Sequence, residues 1–270
     1  MPKPEKLSVR LARNVIAITP RNKILHDLAI MYINKYHNSG NIDMKTNGEY
    51  RWLAQCLQSK SSPIVFDVGA NIGKWSQAVL EINPNAIIHA FEPSPTSYPL
   101  LAQHPFPANV HLNQLGLGDK QGELTFYEYG DAHSHNSIYP RHDKPPVNTV
   151  TIQVDTLQNY CAKNQIEHID FLKIDTEGHD YYVLQGGKSL LEQEKIDVIQ
   201  FEYGNNYLDA RLFLRDMFDL IDDMNYSIYR IIPKHLHFIP KYHEIHERFT
   251  YTNYTIVNHK TAQQLGLQHR

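Results

Sequence analysis

The chain has 270 residues, 41% of them apolar and 20% charged, with a formal net charge of −3. This is ordinary globular composition for one sizeable domain with an appendage, without a general attraction to nucleic acid. Two cysteines, Cys56 and Cys161, make no disulfide framework, and no apolar run approaches the roughly eighteen residues of a membrane span. The longest apolar stretch of the basic amino terminus, Val15 to Ile18, is too short for a signal peptide, so a cytoplasmic protein is expected.

In residues 1–46, Leu7, Leu11, Val15 and Ile18 fall on one helical stripe flanked by Lys3, Lys6, Arg10 and Arg13. Thr19 and Pro20 read as an N-cap and first helical position, opening a second helix through Ile24, Leu28, Met31 and Tyr32. Up to Lys23 there are six Lys or Arg against one acid, Glu5. Such a segment suits an anionic membrane surface or an acidic partner. The plainer reading, adopted here, is a helical cap packed on the main domain or on a second subunit. A third helix spans about Glu49 to Gln58.

The chain is organised around Pro63 to Gly73. Apolar residues run into Asp67, Gly69 and Gly73 frame a turn, and Trp75, Ala78, Val79 and Ile82 mark one face of a following helix. This is a buried strand, a glycine turn and a helix, the opening unit of a parallel α/β sheet, and such sheets bind ligands at the carboxyl ends of their strands. A dinucleotide fingerprint requires glycine where Asn71 and Lys74 stand. Asp67 would repel phosphate and attract an ammonium, which favours the amino-acid tail of S-adenosylmethionine. A turn without ligand would need the same glycines. Nineteen residues after Gly73, Glu92 ends a second short apolar strand, where a carboxylate can accept from both hydroxyls of a ribose.

Ser94 and Pro95 open a short helix, and Val110 to Leu117 reads as a third strand. Asp119 follows it, either as acceptor for an adenine amine or as part of an ordinary turn. Glu123 to Tyr129 and Val147 to Val154 alternate as a hairpin, joined by the long loop Gly130 to Pro146. That loop carries His133, His135 and Asn136 and is taken as the lip that recognises the acceptor. Its histidines have no partner cluster with metal-ligand spacing, and His243 and His246 are not H-E-x-x-H, so no metal site is assigned.

A fourth core strand, Ile169 to Asp175, brings Lys173 and Asp175 to one face, with Glu177 in the turn beyond. Polar groups where a buried strand meets the ligand edge are costly unless paired or used; an ion pair fixing the turn is the alternative. Val198 to Glu202 is the fifth strand, and Glu202 meets the same edge. A long helix from about Leu208 to Met224, strands Tyr226 to Ile232 and Phe249 to Val257, and a frayed tail from His259 complete the chain.

With these segments in order, the chain resembles the FkbM family of S-adenosylmethionine-dependent methyltransferases. The matching residues are Phe66 to Gly73, Phe91 to Pro93, Leu117 to Asp119, and the distinctive run Phe171 to Gly178; Asp180 stands where the family usually has glutamate. The resemblance implies a class I methyltransferase fold, a Rossmann-like seven-stranded sheet with its last strand antiparallel. To this the chain adds an N-terminal helical extension (1–46) and an inserted β-hairpin; the methyltransferase domain is 47–258 and the tail 259–270. Asp67, Gly69, Asn71 and Gly73 would form the methionine-side loop, Glu92 the ribose clamp, and Asp119 would lie near the adenine. Lys173, Asp175 and Glu177 would face the methyl, with Asp175 the first choice of base, Glu177 the second, and His133 or His135 possible from the lip. The lip has no clear counterpart in the family; from the loop itself, His133, His135 and Asn136, together with Glu202 at the strand edge, would meet a small-molecule or glycan acceptor, and the resemblance implies transfer most often to a hydroxyl oxygen. Transfer to an amine or peptide nitrogen, a divalent ion held by Asp175, Glu177 and Glu202, and a non-catalytic cofactor-binding scaffold are the rivals; a homodimer is compatible with all of them.

Overall fold

The computed structural model describes residues 7–130 and 135–268 and separates two compact units, dividing after His37. The first unit holds α1 (Leu7–Ile18) and α2 (Lys23–His37), neither of which buries a residue. Thr19 does not open α2. Its hydroxyl donates to the Val15 carbonyl at 2.8 Å and closes α1, while Asn22 accepts the Leu25 N–H at 3.0 Å and starts α2.

The second unit begins with α3 (Glu49–Leu57), which buries Trp52, Leu53, Cys56 and Leu57 at helical spacing. Then follow β1 (Ile64–Val68), α4 (Lys74–Ile82), β2 (Ile87–Phe91), α5 (Tyr98–Ala102) and β3 (Val110–Asn113). Next come β4 (Gly116–Gly118), β5 (Gly122–Glu128), β6 (Asn148–Thr156) and α6 (Leu157–Lys163). The carboxyl half holds β7 (Phe171–Ile174), α7 (Asp180–Gln185), α8 (Lys188–Glu192), β8 (Val198–Tyr203), α9 (Asn206–Ala210) and α10 (Leu214–Ile221). The chain then finishes with β9 (Tyr226–Ile231), β10 (Leu236–Ile239), β11 (Thr252–Asn258) and α11 (His259–Gln264).

The main sheet runs β10-β9-β11-β8-β7-β1-β2-β3. Neighbours from β3 to β8 are parallel, and β11 is antiparallel to both β8 and β9, the reversed last strand that was expected. An eighth strand, β10, adds to the edge antiparallel to β9; four residues interrupted by His237 are too short to read as a strand from sequence. The central strands are buried along nearly their whole length because helices cover both faces.

Three further expectations are corrected. The third strand is not continuous to Leu117: the Asn113 side chain donates to the Ala90 and His111 carbonyls, each at 3.1 Å, and ends β3, while β4 joins a separate sheet of order β4-β6-β5. The helix expected over 208–224 is two, because Arg211 takes a left-handed φ of 57° and the Glu247 carboxylate accepts from the N–H groups of Leu214 and Arg215. The tail is not frayed over its described residues, 259–268: Asn258 caps α11 by accepting from Lys260 at 2.8 Å, and Thr261 and Ala262 are buried.

Candidate active site

The turn after β1 is tied to the end of β2. The Phe91 carbonyl accepts from the N–H groups of Gly69 and Ala70 at 2.9 and 2.8 Å. A side chain at Gly69, whose φ is 85°, would place its Cβ 1.9 Å from the Asp175 carbonyl oxygen, so the approach of β1 to β7 requires glycine. The Glu92 carboxylate accepts the Asn71 N–H at 2.8 Å through one oxygen and the Ser94 N–H at 2.9 Å through the other. Burial nevertheless pushes Glu92 up to about 7, with those two bonds opposing.

These residues border a cleft of about 860 Å³, counting its mouth, at the carboxyl ends of β1, β2, β7 and β8. Leu115, Leu117, Phe126 and Ile152, from β4 to β6 and the turn before them, give it an apolar wall. Asp175, Glu177, His179 and Glu202 face it from β7 and β8, and His135 and Asn136 reach it from the lip. The Asn136 side chain accepts the Tyr129 N–H at 3.0 Å, which pins that part of the loop to the end of β5.

Beneath the cleft Lys173 stands between two acids, with Nζ 2.9 Å from Asp175 Oδ2 and 3.9 Å from Asp67 Oδ1, and 5.8 Å over the Trp75 ring. Ser76 donates to the other Asp67 oxygen at 2.7 Å. Asp67 is fully buried, and burial raises it despite Lys173 and Ser76. Burial opposes the charge on Lys173, but Asp175 and Asp67 overcome it and hold the ammonium firmly protonated.

Further out the acids accumulate. Glu177 sits in the left-handed region at φ 53°, accepts from Asn206 at 3.4 Å, and is pushed up to about 8 by burial and then by Asp175 and Asp180, with Arg141 opposing. A non-glycine residue held there is strained, a condition that recurs at functional sites. Glu202 is raised well above the carboxylate range by burial, Asp175 and Glu177. Asp180 is raised to about 7, mainly by burial, while one of its oxygens accepts from the Thr176 N–H and hydroxyl.

The cleft therefore gathers Gly69, Asn71, Glu92, His135, Asn136, Asp175, Glu177 and Glu202 from the residues singled out in the sequence. Asp67 and Lys173 lie beneath it, and Gly73 starts α4 behind it. Asp119 is not among its lining residues and faces Lys120 at 3.6 Å, while His133 falls outside the described residues. His179 was missed. It is 5% exposed, its Nδ1 lies 3.0 Å from the Tyr139 hydroxyl, its ring stacks on Tyr182, and burial lowers it to about 4, which keeps it neutral. Its Nε2 has no hydrogen-bond partner among the described residues, and a Cβ at Gly118 would come within 2.9 Å of it. The only sequence signal for it was its place in the run after β7.

Among the described residues, the histidine and carboxylate group spaced for a metal ion is His168, Asp170 and Asp197, at the opposite end of the sheet, where Lys60 already binds both aspartates. Asp175, Glu177 and Glu202 do not converge in that way. An acid-lined cleft with a carboxylate at the end of β2 and an apolar wall suits a cationic nucleoside such as S-adenosylmethionine and rejects a phosphate cradle.

Comparison with known proteins agrees. The chain is 27% identical to the 2-O-methyltransferase NoeI of Sinorhizobium fredii over 61% of its length and 73% of that protein. It is 28% identical to methyltransferase sdnD of Sordaria araneosa over 47% of this chain and 61% of that one. It is 22% identical to the hexuronic acid methyltransferase AglP of Haloferax volcanii over 59% and 64%. The model of the methyltransferase FkbM domain matches residues 67–228, which takes in the β1 turn, the cleft-lining acids and the start of β9. The chain thus belongs to the FkbM methyltransferase family and is an S-adenosylmethionine-dependent enzyme.

Proposed function

We propose that the enzyme methylates a hydroxyl oxygen on a sugar or secondary metabolite, with Glu177 as the general base. S-adenosylmethionine supplies an electrophilic methyl group on a sulfonium, and an alcohol attacking it must lose its proton. The observation that carries this reading is the state of Glu177: it lines the cleft, is held in a strained conformation, and binds a proton up to about pH 8. A carboxylate so raised is a stronger base once ionised, and a positioned base contributes roughly 10²- to 10⁴-fold. Asp175, the first choice from sequence, is the weaker candidate because it is committed to Lys173 at 2.9 Å. Lys173 then anchors Asp175 and Asp67 beneath the cleft, Glu92 orients the ribose, and His135, Asn136 and Glu202 border the space for the acceptor. Two relatives named for 2-O-methylation and for a hexuronic acid support a hydroxyl on a glycan.

The excess of carboxylates would also draw an ammonium acceptor, so transfer to nitrogen is the second reading. Transfer of labelled methyl to a panel of hexose, hexuronate, polyketide and amine acceptors separates them. Label on a hydroxyl is expected; label on amines alone would discard the oxygen reading. Activity is expected to survive excess chelator, since the acids of the cleft do not converge on one ion.

A further inference from the structure

We infer that α1 and α2 bind the surface of an anionic lipid membrane. Leu11, Val15 and Ile18 form one stripe of α1 and are 57%, 62% and 83% exposed. Ile24, Leu28, Met31 and Tyr32 of α2 are each more than half exposed. A stripe of large apolar side chains left in water on two successive helices marks an interaction surface.

Charge identifies the partner. Arg10 and Arg13, three residues apart, share the polar side of α1, and Arg21 and Lys23 follow between the helices. Six Lys or Arg and one Glu lie within the first 23 residues, so a chain of total charge −3 carries +5 there and −8 beyond. A second copy of the same helices would set one cationic segment against another. The unit from Asn38 onward offers little apolar surface in return: among the described residues its exposed large apolar side chains are Ile42, Val147, Leu208, Phe213 and Ile245, of which only Leu208 and Phe213 are near one another along the chain. An anionic bilayer satisfies both halves of the helix, because its acyl region accepts the apolar stripe and its headgroups accept the arginines. At 12 residues α1 is about 18 Å long, well short of a hydrocarbon core of about 30 Å, and no described helix is long and apolar enough to cross. The helices therefore lie in the plane of the interface. The −8 carried by the rest of the chain is repelled by the same surface, which confines the contact to the helices.

The test is co-sedimentation of the full chain with vesicles of phosphatidylcholine alone or mixed with phosphatidylglycerol, at low and high salt. Binding to the mixed vesicles only, weakened by salt, is expected. Arg10→Glu with Arg13→Glu should weaken it at least about tenfold, Leu11→Asp with Val15→Asp should abolish it, and Arg10→Lys with Arg13→Lys should retain it. Calorimetry with S-adenosylmethionine should give the wild-type heat in every variant, showing that the second unit is still folded. No sedimentation with either vesicle, or equal sedimentation with both, would overturn the inference. So would a dimer broken by Leu11→Asp with Val15→Asp in a chain that ignores vesicles, which would assign the face to a second copy.

Discussion

Strand β7 has an acid at each end, and the two ends are built in opposite ways. Before it, Asp170 and Asp197 share Lys60, and His168 adds a second base 3.2 Å from Asp197. Burial works against the charge on Asp197, but His168 and Lys60 overcome it and bring the group down to about 2, while Asp197 raises His168 in turn. Toward the carboxyl end of β7, Lys173 meets Asp67 and Asp175 while Glu177, Glu202 and Glu92 add further carboxylates, and burial pushes those three glutamates up. The first cluster is neutralised and stabilises the fold. The second is left with more acid than base at the mouth of a cleft, where raised carboxylates accompany function. That excess is a destabilising feature the rest of the fold must offset.

The two ends differ most in what their lysines hold. Lys173→Met leaves buried Asp67 and partly exposed Asp175 without their cation and should cost about 3–5 kcal/mol by denaturant unfolding, most of it from Asp67. Lys60 is a third exposed, so Lys60→Met should cost about 1 kcal/mol or less. Equal losses would remove the distinction between the two ends. Next in size, Glu177→Gln should lower kcat by about 10²-fold or more, beyond the smaller loss of cofactor affinity that proton linkage implies; steady-state kinetics beside calorimetry checks this, and an unchanged kcat would return the role to Asp175. Glu92→Ala should weaken S-adenosylmethionine binding by about 10- to 100-fold, the worth of hydrogen bonds to a charged group.

The smallest expected effect is on the pH dependence of stability. In the fold Glu92 and Asp180 hold their protons to about 7 and Glu177 to about 8, whereas the unfolded chain releases them near 4. The folded state therefore binds more protons over that interval, and stability of the ligand-free chain should fall as pH rises from about 5 to about 8. Glu202→Gln removes one of the raised carboxylates and should increase Tm at the alkaline end by roughly 2–4 °C. A Tm that rises with pH, in wild type or variant, would count against the excess.

How much of this could be read from the chain depends on whether the deciding contacts were local. The β1 turn, Glu92 and the run after β7 were legible because short apolar strands end in acids and glycines within a few residues. Lys173 was placed on the right strand, but its burial beside Asp67 depends on the pairing of β1 with β7, more than a hundred residues apart. The ends of α10 and β3 escaped for the same reason, since Glu247 caps one and the Ala90 carbonyl holds Asn113 at the other. His179 became visible only once Gly118 of β4 and Tyr139 of the lip stood beside it.

Protonated carboxylates around the carboxyl end of β7 await a cation. Calorimetry of S-adenosylmethionine binding at neutral pH, in buffers of different ionisation enthalpy, tests this directly. Binding a cationic ligand in the cleft should expel protons from the raised carboxylates that line it, so the measured heat should vary with the buffer, and less so in Glu177→Gln. Heat that is the same in every buffer would contradict the claim.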